Sequence, residues 1–212
     1  MPVVGLGTFM SKGDEVEKAV YSALQLGYRH IDTADLYMNH ERVGKALKRA
    51  IDDGIVKRSE VFLVSKLWPT DYRADVMRPR VEKMLSDLQV GYLDQLLLHM
   101  PEAWDYPGES DDYSRFFPTT TEGLPAVNAS HDLVDTWRVL EGLCEERKVR
   151  SIGVSNFDIV RMRHLLRAAR IKPAVNQVEV HPFLPQKELL EFCRDEGVAI
   201  VAYAPLGAPA YP

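Results

Sequence analysis

The chain has 212 residues, 46% hydrophobic and 27% charged, enough for one sizeable domain with its own core. Its net charge of −5 argues against a nucleic-acid or anionic-membrane partner, and no apolar run approaches the roughly 20 residues of a membrane span. Two cysteines, Cys144 and Cys193, are too few for a disulfide framework. With no basic-plus-apolar leader in view, they read as reduced thiols of a cytoplasmic protein.

Residues 1–8, apolar with glycines, read as a first strand. Residues 14–26 read as a helix with Val16, Ala19, Val20, Ala23 and Leu24 on one face and Gly27 as its stop. A strand at 28–32 ends in Asp32. A helix at 41–52 leads to a doubly buried strand at 61–66, which ends in Lys66. A helix at 74–88 leads to another buried strand at 93–99, which ends in His99. Then come a helix at 132–146 with Ser130 placed to cap it, a strand at 150–154, a helix at 160–169, a strand at 174–177, a helix at 186–196 and a strand at 198–203.

That is about seven strands and six helices in strict alternation. The pattern requires parallel strands and right-handed crossovers, in either a doubly wound open sheet or an eightfold β/α barrel. An open sheet would be favoured by a dinucleotide-binding glycine pattern. Gly5-Leu6-Gly7-Thr8-Phe9-Met10 has Met10 where the third glycine should stand, and no helix follows at once.

The strand ends favour the barrel. Asp32, Lys66, His99, Ser155-Asn156, Asn176-Gln177 and Tyr203 each close or follow a strand. One polar group per strand at the carboxyl end is how a barrel builds its active face. Polar loops alone do not account for Lys66 and His99 closing the most apolar strands. A carboxylate ending a buried strand needs a cation or several donors. Tyr37, five residues on, reads either as a phenol placed to exchange a proton or as a surface residue beyond a turn that Asp32 caps.

Several motifs in one order resemble the aldo-keto reductases: Gly5-Leu6-Gly7-Thr8, Tyr28-Arg29-His30-Ile31-Asp32-Thr33-Ala34, Lys66-Leu67-Trp68, Leu98-His99-Met100-Pro101, Gly153-Val154-Ser155-Asn156-Phe157, Val175-Asn176-Gln177 and Tyr203-Ala204-Pro205-Leu206-Gly207. The resemblance spans the chain except much of residues 101–130. It implies a TIM (β/α)8-type barrel and NAD(P)H-dependent reduction of aldehydes or ketones to alcohols. It also implies a catalytic tetrad of Tyr37, Asp32, Lys66 and His99. The chemistry agrees. A Lys66 ammonium about 4 Å from the phenol would favour its ionised form by roughly 4 kcal/mol at an effective dielectric of 20. Asp32 would hold the lysine, and His99 would donate to the carbonyl oxygen.

No side chain supplies hydride, so a nicotinamide cofactor is required. The resemblance implies NADP(H), with NAD not excluded. Thr8, Asp32, Ser155, Asn156, Gln177, Tyr203 and Leu206 would bind it: Ser155, Asn156 and Gln177 at the carboxamide, and Tyr203 against the ring. Phe9, Trp68, His99 and Met100 would line the substrate pocket, with Met100 softening a wall that is often aromatic in the family. Residues 101–130, acidic and aromatic, read as a lid. His30, His99, His131 and His181 show no metal-ligand spacing.

The expected protein is a monomer acting on a small carbonyl compound, with residues 1–212 as one barrel domain. The family's eighth strand, last two helices and C-terminal loop have no counterpart here, so the barrel is expected to be incomplete. Only Leu206-Gly207-Ala208-Pro209 remains of a phosphate site. A non-catalytic binding or regulatory protein on the same fold is the alternative reading.

Overall fold

The computed structural model describes residues 1–108, 110 and 112–208. Pro209 of the expected phosphate loop lies outside the described residues. Strands β1 (Leu6–Gly7), β2 (His30–Asp32), β3 (Phe62–Leu67), β4 (Gln95–Leu98), β5 (Ile152–Ser155), β6 (Val175–Glu179) and β7 (Ala199–Tyr203) alternate with helices α1 (Gly13–Gln25), α2 (His40–Asp52), α3 (Ala74–Asp87), α4 (Leu133–Glu145), α5 (Ile159–Ala168) and α6 (Lys187–Glu196). All strand pairs are parallel, in the order β1-β2-β3-β4-β5-β6-β7.

The sheet curls into a nearly closed barrel. Gln177 on β6 donates to Asp32 on β2 at 2.8 Å. In a flat sheet, strands four places apart stand roughly 19 Å apart at about 4.8 Å per strand. Only strong curvature brings those side chains into contact.

Two apolar layers follow from the period-two alternation of strands. Leu63 and Leu67 of β3 and Leu96 and Leu98 of β4 face the helices, in one core with Val20, Leu24, Leu47, Met84, Trp137 and Leu140. Val64, Leu97 and Val175 form a separate cluster inside the barrel. The same alternation puts Asp32, Lys66, His99, Ser155, Gln177 and Tyr203 on the inner face. Burial on both faces explains why β3 and β4 are continuous apolar runs.

Three local expectations change. The second strand begins at His30, not at residue 28, because Tyr28 is still finishing α1. Its amide donates to the Ala23 carbonyl at 2.9 Å across Gly27, whose φ of 96° is left-handed. The first strand narrows to Leu6–Gly7, with Val3 and Val4 exposed. Asp132, not Ser130, caps α4 by accepting from the Val134 amide at 2.9 Å, and the Ser130 hydroxyl donates to Asn128.

Candidate active site

Asp32 is the last residue of β2, two positions after His30. After Thr33 and Ala34 the chain makes a short 3-10 turn, Asp35–Tyr37, held by the Tyr37 amide on the Ala34 carbonyl at 3.0 Å. The turn leaves through Met38, left-handed at φ 51°, and carries Tyr37 back over the end of β3. There the Lys66 ammonium, fully buried, donates to Asp32 Oδ1, to the Tyr37 hydroxyl at 3.1 Å and to the Thr33 carbonyl at 3.2 Å. All three ammonium protons are therefore used.

Burial disfavours the Lys66 charge, but Asp32 and then Tyr37 outweigh it and hold its pKa above the ordinary lysine value. Gln177 takes the other Asp32 oxygen, so the carboxylate is gripped from β3 and β6 at once. The backbone of Asp32 is fixed as well, because Thr8 donates its hydroxyl to the Asp32 carbonyl at 3.0 Å.

His99 follows β4 and completes the group. Its ring centroid lies 5.9 Å from that of Tyr37 and 5.2 Å from that of Trp68, edge-on to both. Burial and then the Lys66 charge push its pKa well below the ordinary histidine value, so it is neutral at pH 7. Its buried Nδ1 has no hydrogen-bond partner among the described residues. Phe9, 45% exposed, packs on Tyr37 at 5.0 Å.

Ser155, Gln177 and Tyr203 lie on β5, β6 and β7, and Asn156 directly follows β5. The Ser155 hydroxyl donates to the Gln177 carbonyl at 2.8 Å. Asn156 has φ 63°, a left-handed conformation that asparagine tolerates better than most residues. That twist sends its amide nitrogen to the His99 carbonyl at 2.9 Å and to the Met100 sulfur at 3.5 Å. Tyr203, 38% exposed, donates its hydroxyl to Asn156 Oδ1 at 2.9 Å. A cavity of about 840 Å³ opens beside Asn156 and Tyr203, over Val178 and Leu189. Asn176 faces the other way and donates to the Phe157 carbonyl. Leu206 is 90% exposed.

The described residues around Trp104, Phe116 and Phe117 lie on the same rim. Trp68 donates to the Phe116 carbonyl and packs on Trp104, Phe116 and Phe117 with ring centroids 5.5–6.0 Å apart. Tyr72 pins the next stretch from below, since its hydroxyl donates to the Met100 carbonyl and accepts from the Met100 amide.

Sequence reasoning missed one group here. Asp35, Asp71, Arg80 and Arg115 form a buried ion network beside Tyr37. The available signal was a single arginine, Arg115, in an otherwise acidic and aromatic stretch.

A parallel β/α barrel that gathers a buried Lys–Asp pair, a phenol and a histidine at the carboxyl ends of its strands is a TIM-type fold with a polar cluster at the end where such barrels carry their sites. The family comparison gives it a lineage: residues 3–212 match the aldo/keto reductase family, and the chain belongs to that family. It is 44% identical to aldose reductase B of Dictyostelium discoideum, over 98% of this chain and 66% of that protein. It is 41% identical to human aldo-keto reductase family 1 member A1, over 98% of this chain and 62% of that one. Among solved structures, aldose reductase from Giardia lamblia superposes with a TM-score of 0.91 at 41% identity, covering 98% of this chain and 66% of that chain. The chain thus spans just under two thirds of the length of the relatives it matches. Among the described residues, no helix is long and apolar enough to cross a membrane.

Proposed function

We propose that this chain carries the catalytic part of an NADPH-dependent reductase that converts small aldehydes or ketones to alcohols. Residues 1–212 act as one barrel unit, and residues 101–130 act as its lid. The observation that carries the proposal is the contact chain Tyr37–Lys66–Asp32, buried at the carboxyl ends of β2 and β3 beside a neutral His99.

The residues fit a nicotinamide. Its carboxamide needs both donors and acceptors, the group types that Ser155, Asn156 and Gln177 carry on neighbouring strands; on binding, they would exchange their present bonds to the Gln177 carbonyl, the His99 carbonyl and Asp32 for bonds to it. Its flat ring needs an apolar face, which the Tyr203 ring, 38% exposed, offers. The cofactor, when bound, supplies the hydride.

The protein's own part is proton transfer and charge. Tyr37 delivers its hydroxyl proton to the substrate oxygen as that oxygen gains charge. Lys66, 3.1 Å away, stabilises the phenolate left behind. Asp32 keeps the ammonium in place and makes its burial tolerable. His99 donates a ring N–H to the carbonyl oxygen and, being neutral, adds no second buried cation. Trp68, Phe9 and Met100 exclude water and favour aromatic or aliphatic carbonyls.

The test is Tyr37→Phe. Aldehyde reduction with NADPH is expected to vanish while fluorescence titration gives nearly unchanged NADPH binding, with NADH as the comparison cofactor. Equal activity in the variant would remove Tyr37 from the role of acid.

A further inference from the structure

The four buried charges beside the site have no role in the chemistry above. Asp35 opens the turn that carries Tyr37 two residues later, and Asp71 closes the turn Pro69–Asp71 that follows Trp68. Arg80 lies on α3, and Arg115 lies in the turn Tyr113–Phe116 of the long segment. Arg115 bridges two carboxylates, reaching Asp35 Oδ2 through Nη2 and Asp71 Oδ2 through Nη1 at 3.2 Å. Arg80 Nε stands 3.4 Å from the same Asp71 oxygen and 4.0 Å from Asp35 Oδ2.

Two cations and two anions balance, yet a buried ion network is a poor route to stability, because desolvation offsets most of the attraction. Asp71 shows the compromise: burial, then Asp35, raise its pKa to about 6 against the pull of both arginines, and its Oδ1 has no hydrogen-bond partner among the described residues. What such a network does supply is a defined geometry among the elements it joins. Here those elements carry Tyr37, Trp68 and the aromatic lid. The Arg115 guanidinium also covers the Phe116 ring at 3.9 Å, and Phe116 accepts from Trp68, which packs edge-on to His99.

We propose that Arg115 is a positioning residue: by bridging Asp35 and Asp71 it locks the segment 101–130 to the turn that bears Tyr37, so that the aromatic wall and the phenol are set together. The kinetic part of this proposal rests on Tyr37 being the acid. The mechanical part does not. Without Arg115, two carboxylates face Arg80 alone and repel, and the three-residue turn between Ala34 and Met38 loses its buried anchor. A displacement of about 1 Å at a reacting group costs on the order of 100-fold in rate.

The experiment compares wild type, Arg115→Met and Arg115→Lys by hydrogen exchange and by steady-state reduction of propanal, an aldehyde too small to need the lid. Arg115→Met is expected to speed exchange in peptides covering both 33–39 and 101–130, and to lower kcat for propanal at least tenfold with little change in KM. Arg115→Lys, which keeps the charge but replaces the planar two-nitrogen fork by one ammonium on a shorter reach, is expected to show the same pattern at smaller size, and it serves as the test if Arg115→Met does not fold. Faster exchange confined to 101–130, or an unchanged propanal kcat in an active protein, overturns the proposal. If wild type reduces nothing, the reading of Tyr37 as acid falls. Exchange alone then decides the coupling: changes in both segments support it, and a change in 101–130 alone overturns it.

Discussion

Gln177 donates to the one oxygen of Asp32 that Lys66 leaves free, at 2.8 Å, across 145 residues of sequence. A carboxylate held at both oxygens cannot rotate, and the ammonium it holds cannot drift from Tyr37. The sequence reading assigned Gln177 to a nicotinamide carboxamide, and the structure gives its amide nitrogen a partner inside the protein. Gln177→Leu removes a hydrogen bond to a charged group, worth roughly 1.5–3 kcal/mol. The proposed reductase should lose about 10- to 100-fold in kcat/KM, read in steady-state assays beside an NADPH titration. Unchanged kinetics would mean that Lys66 alone orients Asp32.

Lys66 and Asp32 should be strongly coupled in stability. Lys66→Met strands a carboxylate that is 15% exposed, and breaking such a pair costs about 3–5 kcal/mol, a fall in Tm of roughly 6–20 °C for a chain of this size. Adding Asp32→Asn should recover most of that loss, because no buried charge is then left alone. Additive losses in thermal melts of the two single variants and the double variant would count against a tight pair.

Acid should weaken the fold through its histidines. Burial holds the pKa values of His30, His40 and His99 below the ordinary histidine value. Unfolded histidines bind protons near pH 6.5, so the unfolded state takes up more protons, and stability falls as pH drops below about 6.5. Asp71 has the opposite sign. Its folded pKa of about 6 exceeds the unfolded carboxylate value of about 4, so its penalty on the fold is relieved between those values on acidification. Asp71→Asn removes that relief. Its loss of stability between pH 6.5 and 5 should be steeper than wild type by up to one proton, measured by denaturant titrations across that range.

Two glycines should resist substitution because of the space they leave. A Cβ at Gly44 would stand 2.5 Å from the Asp87 carbonyl and 2.8 Å from Leu88 Cα, where α2 crosses the end of α3. A Cβ at Gly153 would meet Leu97 and Val175 side chains at 2.8 Å inside the barrel, two residues before Ser155. Alanine at either position should cost about 1–3 kcal/mol by overpacking. Gly44 should be the more severe because its three nearest atoms are all backbone, whereas at Gly153 only the Val175 carbonyl, at 2.9 Å, is. Thermal melts would show it.

The alternation of elements was legible because it is local. Val16, Val20 and Leu24 recur at helical spacing and are buried, and each boundary needs only its neighbours. Asp32, Lys66 and His99 were legible for a related reason: a polar residue closing an apolar strand is visible in one dimension, and strand parity then puts it on the inner face. Local competition blurred the details. Gly27 lets α1 finish through Tyr28 before β2 begins, and Asp132 outcompetes Ser130 for the cap.

From the sequence alone came the family, by its motifs, and the parallel barrel and most of the side chains at its carboxyl rim, by short-range pattern; Asn176, read as one of them, turns instead to the Phe157 carbonyl. Which of those side chains pair with one another was decided by the tertiary structure. Arg115 meets Asp35 across 80 residues and Asp71 across 44, and Gln177 meets Asp32 only because the sheet curls until β2 and β6 face each other. A charge in a sequence shows that a partner is needed. Chain closure in three dimensions brings one within 3 Å, and burial then makes that contact matter.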